Sequence, residues 1–219
     1  VKKKSFRSVL RYAQKHAHFF GLRDFTLLSF LHVFYRVKAR LWKASLHSLE
    51  NVARKHGLPI IKTRDINAPA YVNTLKALEI DVILSSQPQI IRSELLKVPK
   101  WGCINRHTSL LPKYRGLFPV FWAMLNGDKQ IGVTVHKVVE EIDSGPILGQ
   151  ASFPISGRES MYEIYGRAYR LSAEVTARVL KEIAEGNPTL QPQIGSGKYC
   201  GFPDRVAVKR FRSMGKRIL

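Results

Sequence analysis

Apolar residues recur every three or four positions at the start of the chain. Phe6, Val9, Leu10, Ala13, Ala17 and Phe20 share one face, with Arg7, Arg11 and Lys15 beside it, which predicts a helix over 5–20. Gly21 breaks the period, and Asp24 is placed to cap a second helix over 25–49 with Leu27, Leu28, Leu31, Phe34 and Tyr35 as its apolar stripe. From residue 57 the pattern changes. A short strand is predicted at 57–61, then a helix over 68–78 with Asn67 as cap and Pro69 in its first turn. The β-branched run 81–84 predicts a buried strand, 91–97 a short helix, 101–105 a strand and 119–125 a helix. Asn126-Gly127-Asp128 is a turn signal; strands follow at 132–139 and 147–155, then a long helix over 159–185 closed by Gly186-Asn187-Pro188. Short alternating strands and helices predict an α/β fold with a doubly wound, mostly parallel sheet.

Composition narrows the classes. In 219 residues there is room for one sizeable domain, and 45% hydrophobic content is that of a chain with a core. Cys103 and Cys200 cannot build a disulfide framework or a four-thiolate zinc site. No apolar run is long enough to predict a membrane-spanning helix. Lys2-Lys3-Lys4 is not followed by a signal-peptide core, so a cytoplasmic chain is expected. Val1 is not an initiator methionine, and the chain is expected to be processed or part of something longer.

The net charge of +20 is uneven. Residues 1–60 carry 13 Lys/Arg against 2 Asp/Glu, residues 61–197 carry 16 against 13, and residues 198–219 carry 7 against 1. The expected organisation is therefore a basic helical segment over 1–56, a core over 57–187 and a basic tail over 188–219. Basic ends are either solvated faces or surfaces for a polyanion.

Candidate chemistry is densest after the strand at 101–105. Asn105 and His107 are two apart, so in extended chain both side chains project to one side. An amide N–H and a titratable imidazole suit a reaction in which a carbonyl oxygen becomes an oxyanion and a leaving amine needs a proton. Asp143, on a loop after the strand 132–139, could orient such an imidazole. Taken singly, each reads first as a turn residue satisfied by backbone. Nothing places the histidines with cysteines or carboxylates at metal-ligand spacing, and no metal is expected.

The motif Asn105-x-His107 with Ser109-Leu110-Leu111-Pro112-x-Tyr114-Arg115-Gly116 resembles the signature of the folate-dependent formyltransferases. Gly132-Val133-Thr134-Val135-His136 and Glu141-Ile142-Asp143-Ser144-Gly145-Pro146 are similar to that family in the same order. The likeness runs from about residue 57 to 187 and implies the catalytic core shared by methionyl-tRNA, glycinamide ribonucleotide and nucleotide-sugar formyltransferases. It implies a Rossmann-like sheet, with the N-terminal helices as extra elements and the family's first strands missing from residues 1–56. The implied donor is 10-formyltetrahydrofolate and the implied acceptor an amine. The implied catalytic residues are Asn105 and His107 at the formyl oxygen and Asp143 behind the imidazole. Donor binding would fall to Ser86, Gln87, Pro88, Gln89, Ile90, His136, Glu140 and Glu141, and acceptor binding to Ser109, Leu110, Leu111, Pro112, Tyr114, Arg115 and Gly116. Arg106 stands where many relatives have an apolar residue.

A small anionic amine, such as an amino-sugar nucleotide, is the favoured acceptor, ahead of a charged tRNA. Two rivals stay open: hydrolysis of the formyl donor, in which water takes the group, and an inactive fragment acting as a basic RNA- or membrane-binding protein. Formate release without an amine would mark the first. Salt-sensitive polyanion binding that survives loss of His107 and Asp143 would mark the second.

Overall fold

The computed structural model describes residues 6–41, 48–86, 89–195 and 197–219. Two compact units divide between Arg64 and Asp65.

The first unit is helical. Helix α1 spans Phe6–Phe20 and stops at Gly21, whose φ of 82° is the left-handed conformation that glycine adopts without a Cβ clash. Helix α2 spans Leu22–Leu41, so Asp24 lies inside its first turn, where a carboxylate complements the helix dipole, and does not cap it. Of the helix expected over 25–49, α2 covers residues 25–41, and a separate helix begins at Leu49. Ser48 caps α3, Leu49–Lys55, by accepting from the Asn51 N–H at 3.1 Å; residues 42–47 lie outside the described residues. No strand forms at 57–61, which runs as open chain with Gly57 at φ 64° and with Pro59 unable to donate to a ladder.

The second unit carries the sheet. Its elements are α4 (Pro69–Ala77), β1 (Val82–Ser85), α5 (Ser93–Leu96), β2 (Gly102–His107), β3 (Arg115–Gly116), α6 (Pro119–Asn126), β4 (Gln130–Lys137), β5 (Ile147–Pro154), α7 (Met161–Ala184), β6 (Tyr199–Cys200) and α8 (Arg205–Ser213). One sheet runs in the order β1-β2-β4-β5, and β3 pairs with β6 in a second. The α/β class is as expected, and β1 and β2 are parallel. The β2–β4 and β4–β5 pairs are antiparallel. For β4 and β5 the cause is the linker: residues 138–146 are too few for the crossover of a dozen or more residues that a parallel pair needs.

Helix α7 covers one face of the sheet. Its Ala168, Val175 and Val179 pack with Ile104, Val133, Val135 and Leu148. A capping box starts this helix: Ser160 Oγ accepts from the Glu163 N–H while the Glu163 carboxylate accepts from the Ser160 N–H. The opposite face of β2 places Cys103 among Val72, Ile91 and Leu95. Asn67 does not cap α4. Its amide donates to Ile90 O at 3.0 Å and accepts from the Arg92 N–H at 2.9 Å, which ties the chain after β1 to the start of α4.

The basic end of the chain is structured. Asp204 caps α8 by accepting from the Ala207 N–H at 2.7 Å, and Val208 and Phe211 turn inward. Phe211 stacks on Phe121 of α6 at 4.6 Å between ring centroids. Replacing fully buried Phe211 by alanine is expected to lower the unfolding free energy by about 3–5 kcal/mol. Exposed Val206 on the same helix should tolerate alanine within about 0.5 kcal/mol. Urea denaturation of the two variants checks this; equal effects would mean that α8 does not pack as described.

Candidate active site

Strand β2 ends in a cleft of about 300 Å³ lined by Ser86, Asn105, Arg106, His107, Thr108, Gly116, Pro119, Tyr165 and Tyr169. The alternation of the strand puts Asn105 opposite His136 and His107 opposite Thr134 on β4. That register brings both histidines to the loop that carries Asp143. His107 Nδ1 lies 3.5 Å from Asp143 Oδ2, and His136 Nε2 lies 3.5 Å from Asp143 Oδ1. The Gly116 N–H donates to Oδ2 at 2.9 Å. The carboxylate is 10% exposed and thus has three partners in an almost dry setting.

Each imidazole is oriented from behind. His107 Nε2 is 2.8 Å from the Tyr114 carbonyl, and His136 Nδ1 is 3.0 Å from the Lys137 carbonyl. Carbonyls only accept, so in the neutral rings these are the protonated nitrogens. The nitrogens facing Asp143 are then lone pairs, and His136 Nε2 is a buried atom with no hydrogen-bond partner among the described residues. A proton on His107 Nδ1 would meet a carboxylate already in place. Burial lowers the pKa of His107, an effect that Asp143 opposes. Burial also pushes the Asp143 pKa upward, but His136, His107 and the Gly116 N–H outweigh it and hold the carboxyl at about 2.

The backbone around this group is constrained. Tyr114, Phe118 and Asp143 all have φ between 51° and 57°, a region non-glycine residues rarely occupy. Gln193 donates to both Asp143 O and Gly145 O, at 2.9 and 2.8 Å, and so clamps the turn that presents the carboxylate. Gly116, at φ 98°, admits no side chain: a Cβ there would stand 2.5 Å from Cys200 O.

Of the expected residues, Asn105, His107 and Asp143 come together, with Ser86 and Gly116 beside them. His136 stands against Asp143, buried behind the cleft. Ser109, Leu110, Leu111 and Pro112 form the loop beyond β2, with Leu111–Pro112 cis. Their polar atoms are taken up internally: Ser109 Oγ donates to Lys113 O, Thr134 Oγ1 to Ser109 O, and Gln150 Nε2 to Leu111 O. Tyr114 supplies its carbonyl to His107, while Arg115 bonds Ile142 O and the Glu141 carboxylate and so braces the Asp143 loop. Glu140 is exposed. Gln89 accepts from the Ile66 N–H, Ile90 is exposed, and Gln87 and Pro88 lie outside the described residues. Tyr165, Tyr169 and Gln193 were not anticipated. A lone glutamine far along the chain carries no sequence signal, and the tyrosines read only as part of a helix.

Comparison with known proteins bears on the family and the fold. Residues 38–180 match the formyl transferase family. A methionyl-tRNA formyltransferase of Pelobacter propionicus is 33% identical over 159 residues, 72% of this chain and 50% of that protein. The chain spans about half the length of the curated relatives it matches. Among solved structures, a sugar N-formyltransferase from Shewanella has a TM-score of 0.58 at 26% identity, over 80% of this chain and 72% of that one. Glycinamide ribonucleotide transformylase 1 from Symbiobacterium toebii has a TM-score of 0.59 at 25% identity, over 66% and 75%.

The depressed Asp143 pKa has a definite sign. It stabilises the folded chain above the ordinary aspartate range, and that contribution is lost as pH falls from about 4 through about 2. Asp143→Asn should therefore remove roughly 2 kcal/mol of the acid-induced loss of stability, read by urea denaturation between about pH 6 and pH 2. Parallel pH profiles for wild type and variant would show that Asp143 is not held as described.

Proposed function

The chain belongs to the formyl transferase family, and on that footing we propose that residues 65–219 carry formyl transfer from 10-formyltetrahydrofolate to an amine. One observation carries the reading. Asn105 and His107 share a cleft, and a buried carboxylate stands behind the imidazole at 3.5 Å.

The cleft suits the reacting end of such a donor. It holds about 300 Å³, enough for a formyl group and an amine but small for a whole pterin cofactor, whose remainder would lie along Ser86, Gln89 and Ile90 and along 138–142. The donor supplies a formyl carbon activated on nitrogen. The Asn105 amide, which makes no hydrogen bond among the described residues, is available to donate to the formyl oxygen as it gains charge. The His107 Nε2–H can serve the same oxygen only by exchanging it for Tyr114 O. His107 Nδ1 is the atom positioned to hold a proton from the attacking amine, with Asp143 stabilising the resulting imidazolium.

We place the reaction in the cytoplasm; no helix among the described residues is long and apolar enough to cross a membrane. A small amine, in the manner of the sugar N-formyltransferase, is favoured by the size of the cleft, and an aminoacyl-tRNA is the second arm of the assay. The test incubates the full chain with 10-formyltetrahydrofolate and a panel of amino-sugar nucleotides, phosphorylated amines and methionyl-tRNA. Formylated amine is expected, with kcat lowered roughly 10²–10³-fold in Asn105→Ala and by a comparable factor in His107→Ala. Formate released at the same rate without any amine would replace transfer by hydrolysis. Neither product from the whole panel would overturn the proposal.

A further inference from the structure

Arg106 stands between Asn105 and His107 on β2 and lines the same cleft. Its guanidinium is held in place by neutral groups only. One nitrogen donates to Ser172 Oγ at 3.3 Å and another to Ser86 Oγ at 3.1 Å, while the Cζ stands 4.8 Å from the centre of the Tyr169 ring. Three other arginines of the same unit are paired with carboxylates: Arg115 with Glu141, Arg167 with Glu159 and Arg178 with Glu182. Among the described residues Arg106 forms no ion pair.

This is an uncommon way to keep an arginine. The group stays charged at all relevant pH values, and half-burial makes an unbalanced charge costly. Two of its five N–H groups are committed to hydroxyls, which fix the plane and leave the rest free to donate. Tyr165 and Tyr169 stack at 5.6 Å and form the wall beside it, with Tyr169 half exposed where the cleft opens. A preoriented guanidinium next to an aromatic face matches the planar, two-point recognition of an oxyanion.

We propose that Arg106 binds a phosphoryl group of the acceptor and makes this cleft selective for phosphorylated amines. The assignment to an acceptor rests on the formyl-transfer reading above. The glutamyl carboxylates of the folate are the other anions that could reach a guanidinium in this cleft, and the glutamate arm of the test tells the two apart. Ser86 and Ser172 are positioning residues for the guanidinium.

The test titrates the full chain with pyrophosphate at fixed ionic strength, using calorimetry, with glutamate as the carboxylate arm. Arg106→Gln should weaken pyrophosphate binding at least about tenfold. Arg106→Lys, which keeps the charge but loses the fork, should weaken it less, and it keeps the test decisive if the glutamine variant does not fold. Lys209→Gln, an exposed lysine on α8, should change it less than twofold. Equal losses in Arg106→Gln and Lys209→Gln would mean diffuse attraction to a basic chain and overturn the proposal. So would unchanged binding in Arg106→Gln, undetectable binding in wild type, or tighter binding of glutamate than of pyrophosphate. In the transfer assay, wild type should prefer phosphorylated over unphosphorylated amines in kcat/KM, and Arg106→Gln should erase that preference by raising KM. If no amine is formylated but the Arg106-dependent pyrophosphate site stands, the transfer reading fails and the anion site survives.

Discussion

A single buried anion organises the functional end of this molecule. Asp143 is ionised in a place where water can reach little of it, and an unbalanced charge there would cost several kcal/mol. The chain meets that cost with the Gly116 N–H and, whenever a proton stands on His107 Nδ1 or His136 Nε2, with an imidazole N–H. Each of those three partners is set by a different part of the fold. The β2–β4 register aligns the histidines, the left-handed turn at Tyr114 aims a carbonyl at His107, and the β3–β6 pairing holds the Gly116 N–H. Loss of any of them leaves the carboxylate under-compensated, so fold stability and site chemistry are coupled through this one group.

The basic C-terminal segment takes part in the same arrangement. Gln193 clamps the Asp143 turn, Cys200 pairs with Gly116, and α8 packs Phe211 on Phe121 of the helix that starts beside the cleft. What looks by charge like an appendage is, in its buried half, a brace for the carboxylate. Its lysines and arginines lie mostly on the outer face, which is why charge alone says little about its role.

Much of the core was legible in the sequence for physical reasons. The β-branched run before Ser86, the alternation of 132–139 and the long period of α7 mark elements whose burial leaves a clear imprint on residue choice. Asn105, His107 and Asp143 stood out because the motifs that contain them resemble those of a known family in order and spacing; their chemistry alone did not separate them from turn residues. Other features left weaker marks. The residues 57–61 have strand composition but join no strand among the described residues, and Asn67 has the look of a cap while serving as a clamp on Ile90 and Arg92. The loop 109–112 reads as a ligand-binding motif, yet its conformation is held by Thr134 and Gln150, whose involvement depends on contacts distant in the chain. The antiparallel direction of β5 follows from the short linker between the two strands, which the sequence already shows.

The proton positions around Asp143 are the most direct test of this account. Nitrogen-15 NMR of the imidazole rings, in protein labelled at histidine, reports which ring nitrogen carries hydrogen. At pH values where the rings are neutral, the structure requires His107 to be protonated at Nε2 and His136 at Nδ1, with both remaining nitrogens facing an ionised Asp143. Finding the proton of neutral His107 on Nδ1 instead would place a plain hydrogen bond where the account needs a vacant base, and would contradict it.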